Sequence, residues 1–122
     1  MDTSKVSRRR YFEELSTSKA VISPFGYGEI TLKDFEVFLT GGILIKPDMS
    51  GIETWPDLFR GGQTMLAHDW DLTDFDAVVE KSYSAYDTTI AIARAGQNEY
   101  RRHLISEEAE DLFCDQLSTL LQ

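Results

Sequence analysis

Between Ser23 and Glu36 the chain reads "SPFGYGEITLKDFE", its densest group of residues suited to holding a ligand. Gly26 and Gly28 would let the backbone come close to a bound molecule. The N–H groups opening a following helix would attract an anion such as phosphate. Glu29, Lys33 and Glu36 are spaced four and three residues apart, which puts them on one side of that helix. With Glu29 at the helix start, Glu36 would lie about 10 Å further along the axis. Two carboxylates so placed could hold different parts of one long ligand, but they are too far apart for the close pair of a retaining glycosidase. The glycines match neither the dinucleotide fingerprint nor the P-loop. On spacing alone the stretch serves equally as a phosphate cradle or as a tight turn before a solvated salt ladder.

Other chemistry-bearing residues point less far. Asp69 and Asp71 in "HDWD", with Asp74 and Asp76 beyond, have a spacing that can hold a divalent ion. However, Asp71 reads as a helix N-cap and Asp74 as a first-turn acid, and no glycine supplies the sharp turn of a calcium loop; no metal site is expected. His68 ends a predicted strand, a ligand-facing place in parallel sheets, yet neither it nor His103 has a partner at triad spacing. The single cysteine, Cys114, excludes an internal disulfide and a cysteine-based zinc cluster. Flanked by acids at an apolar helix position, it reads as a buried thiol rather than a nucleophile.

Elements must position these residues, and the hydrophobic pattern supplies them. "AVIS" (20–23) and "ILIK" (43–46) are short apolar runs stopped by Pro24 and Pro47, as buried parallel strands are. "TMLAH" (64–68) is a third. Tyr11, Phe12 and Leu15 have helical spacing near the start, with serines able to cap them. Phe35, Phe38 and Leu39 mark a helix ended by Gly41–Gly42. The stretch "DMSGIETWPDLFRGG" reads as a loop with one short helical turn over 52–59. Three helices follow: one after Asp71, one over 87–104, and one over 106–121 capped by Ser106. The order predicts one α/β domain over 1–122, with core 10–104: about three parallel strands sandwiched by helices, and a helical C-terminal tail.

At 122 residues the chain is long enough for a real core. A net charge of −9 argues against wholesale nucleic-acid binding, and "SRRRYF" reads as a solvated first helical turn. Basic residues Lys5, Arg8, Arg9, Arg10, Lys19, Lys33 and Lys46 all fall early, leaving room for a locally positive site. No apolar run suits a membrane span and no secretory signal opens the chain, so a cytoplasmic protein is expected. Trp55 and Trp70 read as packing loop edges, and "WPDLF" as an apolar face open to a further domain.

The run "YFEELSTSKAVISPFGYGEITLKDFEVFLTGGILIKPDMSGIETWPDLF" resembles the donor-binding, C-terminal half of GT-B glycosyltransferases, closest to the group 1 and spore-maturation-type branches. The resemblance covers roughly residues 10–71 and implies a Rossmann-like half that binds a nucleotide-diphosphate sugar for hexosyl-type transfer. It implies that Phe25, Gly26, Tyr27 and Gly28 approach the diphosphate and that Glu36 holds the ribose hydroxyls. Lys33, where the family usually has arginine, keeps a charge for the diphosphate but loses the bidentate fork. Glu29 stands seven residues before Glu36 where many relatives have eight; it is counted with the donor-binding residues, on the sugar side. Lys46, Asp48, Met49 and Ser50 of "KPDMS" would face the base or the sugar. The resemblance further implies transfer without a bound metal or cofactor. It also implies an acceptor-binding partner domain, without which the chain would be inactive. The competing expectation is a non-catalytic interaction or remnant domain that kept the fold without the chemistry, and a homo-oligomer partner burying the "WPDLF" loop would favour it.

Overall fold

The computed structural model describes residues 7–26 and 28–121. Helix α1 (Arg8–Thr17) starts at Ser7, whose side chain accepts from the Arg10 N–H. It leads into strand β1 (Ala20–Ile22), helix α2 (Leu32–Thr40), strand β2 (Ile43–Pro47) and strand β3 (Leu66–His68). Three helices complete the described chain: α3 (Phe75–Ser84), α4 (Tyr86–Leu104) and α5 (Ala109–Leu120). The three strands form one parallel sheet in the order β1-β2-β3, as the apolar runs predict. Its register pairs Val21 with Leu44 and Lys46 with Ala67.

Alternation along the strands divides the core in two. Leu44 faces Val37 and Phe38 of α2, Leu15 of α1, and Met49, Leu58, Phe59 and Met65 from the long β2–β3 connection. Ile43 and Ile45 face the other way, against Ile92 and Ala93 of α4 and Val78 and Val79 of α3. Central strand β2 is buried along its whole length. Helix α2 ends where Gly41 takes a left-handed φ of 80°, and its N–H bonds back to Val37 and Phe38.

Several sequence expectations need correction. The 52–59 stretch forms turns and no helix, because Pro56 lacks an N–H and disfavours helical geometry at Trp55. Thr64 organises this connection instead: its hydroxyl bonds to the Leu58 carbonyl, and it accepts from the Arg60 N–H at 2.9 Å. Helix α3 is capped at Asp74, not Asp71, and α5 begins after Glu108, two residues beyond Ser106. Cys114 is exposed rather than buried. Helix α5 turns Ala109, Leu112 and Gln116 inward, which leaves Cys114 on the opposite side. Within "WPDLF", Leu58 and Phe59 are core residues, Pro56 is buried, and Trp55 and Asp57 reach the surface.

Helices α2 and α4 touch closely at Gly96. A Cβ there would stand 2.7 Å from the Thr64 carbonyl oxygen and 2.9 Å from the Phe38 ring. Alanine in a helix gains about 1 kcal/mol over glycine, whereas overpacking a tight core costs about 1–3 kcal/mol. Gly96→Ala is therefore expected to lower stability by about 1–2 kcal/mol in urea denaturation; an equal or higher midpoint would contradict this packing.

Candidate functional site

The carboxyl ends of β1, β2 and β3 meet at one edge of the sheet, where parallel sheets place ligands. A cavity of about 430 Å³ opens along this edge. The strand ends contribute Ile22, Pro47 and His68; the β1–α2 turn adds Pro24 and Phe25; and the β3–α3 loop adds Trp70, Leu72 and Phe75. The walls are almost wholly apolar and aromatic. Phe25 and Trp70 meet edge to face at 4.9 Å, and the Trp70 indole donates to the Asp48 carbonyl at 2.6 Å.

Among the described residues His68 is the one titratable side chain in the lining. It is buried, and its Nδ1 lies 2.8 Å from the Asp69 carbonyl oxygen. A carbonyl can only accept, so Nδ1 carries the proton and, in the neutral ring, Nε2 keeps a lone pair. Phe75 packs against the ring at 5.1 Å. The aspartates that suggested a metal site shape the loop instead. Asp74 accepts from the Asp69 N–H at 2.7 Å, and Asp71 accepts from the Thr73 hydroxyl at 2.9 Å. The hydrogen bonds from Thr73 lower the Asp71 pKa. Among the described residues no group of acids, histidines or cysteine is arranged to hold a metal ion. This network holds Leu72 at a left-handed φ of 67°, a conformation costing about 1–2 kcal/mol for such a residue.

Beneath the cavity lies a buried charged cluster. Lys46 and Asp34 are both wholly inaccessible and form an ion pair at 2.9 Å. Asp34 also accepts from the Ser23 hydroxyl at 2.5 Å and from the Thr31 N–H at 3.0 Å. Lys46 lies 3.5 Å from the Ser23 carbonyl, and the Phe25 ring covers it at 5.3 Å. One carboxylate thus ties the end of β1, the start of α2 and the end of β2 together.

The residues assigned to the donor from sequence divide accordingly. Phe25 lines the cavity and Gly26 and Gly28 continue its turn, while Tyr27 lies outside the described residues. Asp48 anchors Trp70 through its carbonyl and holds Ser50 through its carboxylate at 2.6 Å; Met49 is core. Lys46 is sequestered by Asp34. Glu29 is exposed ahead of α2 and does not begin it, because the helix starts at Leu32. Glu29, Lys33 and Glu36 therefore form no ladder. Lys33 donates to the Ile22 carbonyl at 2.9 Å, blocking the open edge of β1. Glu36 faces Tyr11 of α1, where burial and then this carboxylate raise the phenol's pKa. Ile22, Pro24, Pro47, Leu72 and Phe75 escaped the sequence reading, although strand-end positions flag the first three.

The buried cluster makes a quantitative prediction. Lys46→Met leaves a buried, unpaired Asp34 and is expected to cost about 3–5 kcal/mol. The double variant Lys46→Met/Asp34→Asn should lose about 2 kcal/mol or more less than the sum of the two single losses, as read by urea unfolding of the double-mutant cycle. Simple additivity would contradict the pairing.

Set against known proteins, the chain matches no family model, no curated protein and no solved structure.

Proposed function

We propose that the chain is a glycosyltransferase donor-half domain that binds a nucleotide-diphosphate sugar at the carboxyl edge of its sheet. The observation that carries this reading is the 430 Å³ cavity formed by three strand ends with Pro24 and Phe25 of the β1–α2 turn. Its uncharged aromatic walls suit a ring of the ligand, base or sugar, and the glycine Gly26 that follows Phe25 suits a close approach of the diphosphate. The sequence resemblance assigns donor binding to the same turn and to "KPDMS", which supplies Pro47 of the wall and Asp48 behind Trp70. Hexosyl transfer to an acceptor would require an acceptor-binding domain.

A second reading, a non-catalytic domain that keeps the fold, rests on the state of the cations. Lys46 is paired with Asp34 and Lys33 is spent on the Ile22 carbonyl. The Asp34 carboxylate also bonds the N–H at the start of α2, where an anion would otherwise sit.

Thermal melts with uridine, guanosine and adenosine diphosphates and their sugar conjugates separate the two. A ligand at ten times its Kd stabilises by about 1.4 kcal/mol, so at least one is expected to raise the Tm by several degrees. Phe25→Ala should abolish the shift. No shift with any of these ligands, or an undiminished shift in Phe25→Ala, would favour the non-catalytic domain.

A further inference from the structure

We infer that His68 reads the base of the nucleotide, its Nε2 accepting an N–H from the edge of a nucleobase seated in the cavity. This rests on the nucleotide-sugar reading above and names the part of the ligand that the cavity takes. Among the described residues, polar groups along the cavity are almost all spent. The Trp70 indole N–H goes to the Asp48 carbonyl. At the strand ends the Ser23 N–H bonds the Ile45 carbonyl, the Asp48 N–H bonds the His68 carbonyl, and the Ile22 carbonyl accepts from Lys33. Pro24 and Pro47 have no N–H to offer. His68 Nε2 is different. Its sister Nδ1 is committed to the Asp69 carbonyl, and Nε2 itself has no partner among the described residues. Nor is it one of the described buried atoms sealed off without a partner, which are Thr31 Oγ1 and Arg60 Nε. His68 is only 3% exposed and lines this cavity, so the cavity is where its lone pair is reached.

One open acceptor between apolar walls selects the occupant. A phosphate finds no free cation in the lining, because Lys46 is held by Asp34 under the Phe25 ring. A hexose carries hydroxyls around its ring, and each one buried without a partner costs about 1–3 kcal/mol. A nucleobase has two apolar faces for Phe25, Trp70 and Phe75, and an edge on which an N–H can meet Nε2. Uracil and guanine offer a ring N–H there, and adenine an amino group. Trp70 is 62% exposed, so water reaches that side of the cavity and solvates the other base edges.

Titration calorimetry of the whole chain first finds which of uridine, guanosine and adenosine diphosphate binds most tightly. That ligand is then compared with the analogue lacking its base N–H: the N3-methyl form for uridine, the N1-methyl form for guanosine, the deaminated purine for adenosine. The analogue is expected to bind about tenfold more weakly. In His68→Ala, checked for fold by circular dichroism, that penalty should shrink to about threefold or less. A second readout uses the wild-type protein in NMR. The His68 Nε2 nitrogen resonance should move with the parent diphosphate and stay with its analogue, while that of His103 moves with neither. An analogue that binds as tightly as its parent, or a penalty unchanged in His68→Ala, would overturn the inference and leave the nucleotide-sugar site standing. Nuclear Overhauser contacts from the Phe75 ring to the hexose of a sugar conjugate, rather than to its base, would do the same. No binding by any of the three diphosphates or their sugar conjugates would overturn both.

Discussion

The buried ion pair between Lys46 and Asp34 is the constraint on which the arrangement of this chain turns. A lysine and an aspartate without solvent access must find each other, because either alone would be strongly destabilising. Their meeting fixes where the β1 end, the α2 start and the β2 end stand relative to one another. Asp34 completes the arrangement by taking the Ser23 hydroxyl and the Thr31 N–H. Replacing such a pair with apolar side chains often costs nothing, so its value here lies in geometry rather than in net stability. It sets the turn that carries Phe25 over the sheet edge.

The same pair determines the chemical character of that edge. With its cation sunk beneath Phe25, the cavity presents aromatic rings, prolines and one imidazole rather than a positive surface. A ligand entering here gains from apolar contact and stacking, and its charged part must stay at the rim. The β3–α3 loop contributes equally: aspartates spaced as if for a metal instead bond Thr73 and backbone N–H groups, and so present Trp70 and Leu72 to the cavity. In both places acidic residues act as local scaffolding and apolar ones form the surface.

How much of this was legible in the sequence follows from the range of each interaction. The strands over 20–22 and 43–47 were readable because buried parallel strands are continuous apolar runs. Gly41–Gly42 marked the end of α2 for an equally local reason. The start of α2 was misplaced because Glu29 looked like a first-turn acid. Thr31 with Asp34 three residues on carried the correct signal, since Asp34 bonds the Thr31 N–H. The Lys46–Asp34 pair was not readable, because it joins residues twelve apart through tertiary packing. Lys46 was therefore counted among ligand contacts. Cys114 failed for a related reason: an apolar position on an amphipathic helix implies burial only if something covers that face. Helix α5 has apolar residues on two sides, and α4 covers one.

The central claim is that a nucleotide sugar binds at the carboxyl edge of the sheet, over the Lys46–Asp34 cluster. Amide-resolved NMR during titration with nucleoside diphosphates and their sugar conjugates tests it most directly, because Trp70 provides a separate indole N–H signal at the cavity wall. The account predicts shifts concentrated at Ile22, Phe25, Gly26, Asp48, His68 and the Trp70 indole, with α5 unmoved. Shifts gathered around Lys19, Tyr86 and Thr89 at the opposite end of the sheet, or none at saturating ligand, would contradict it.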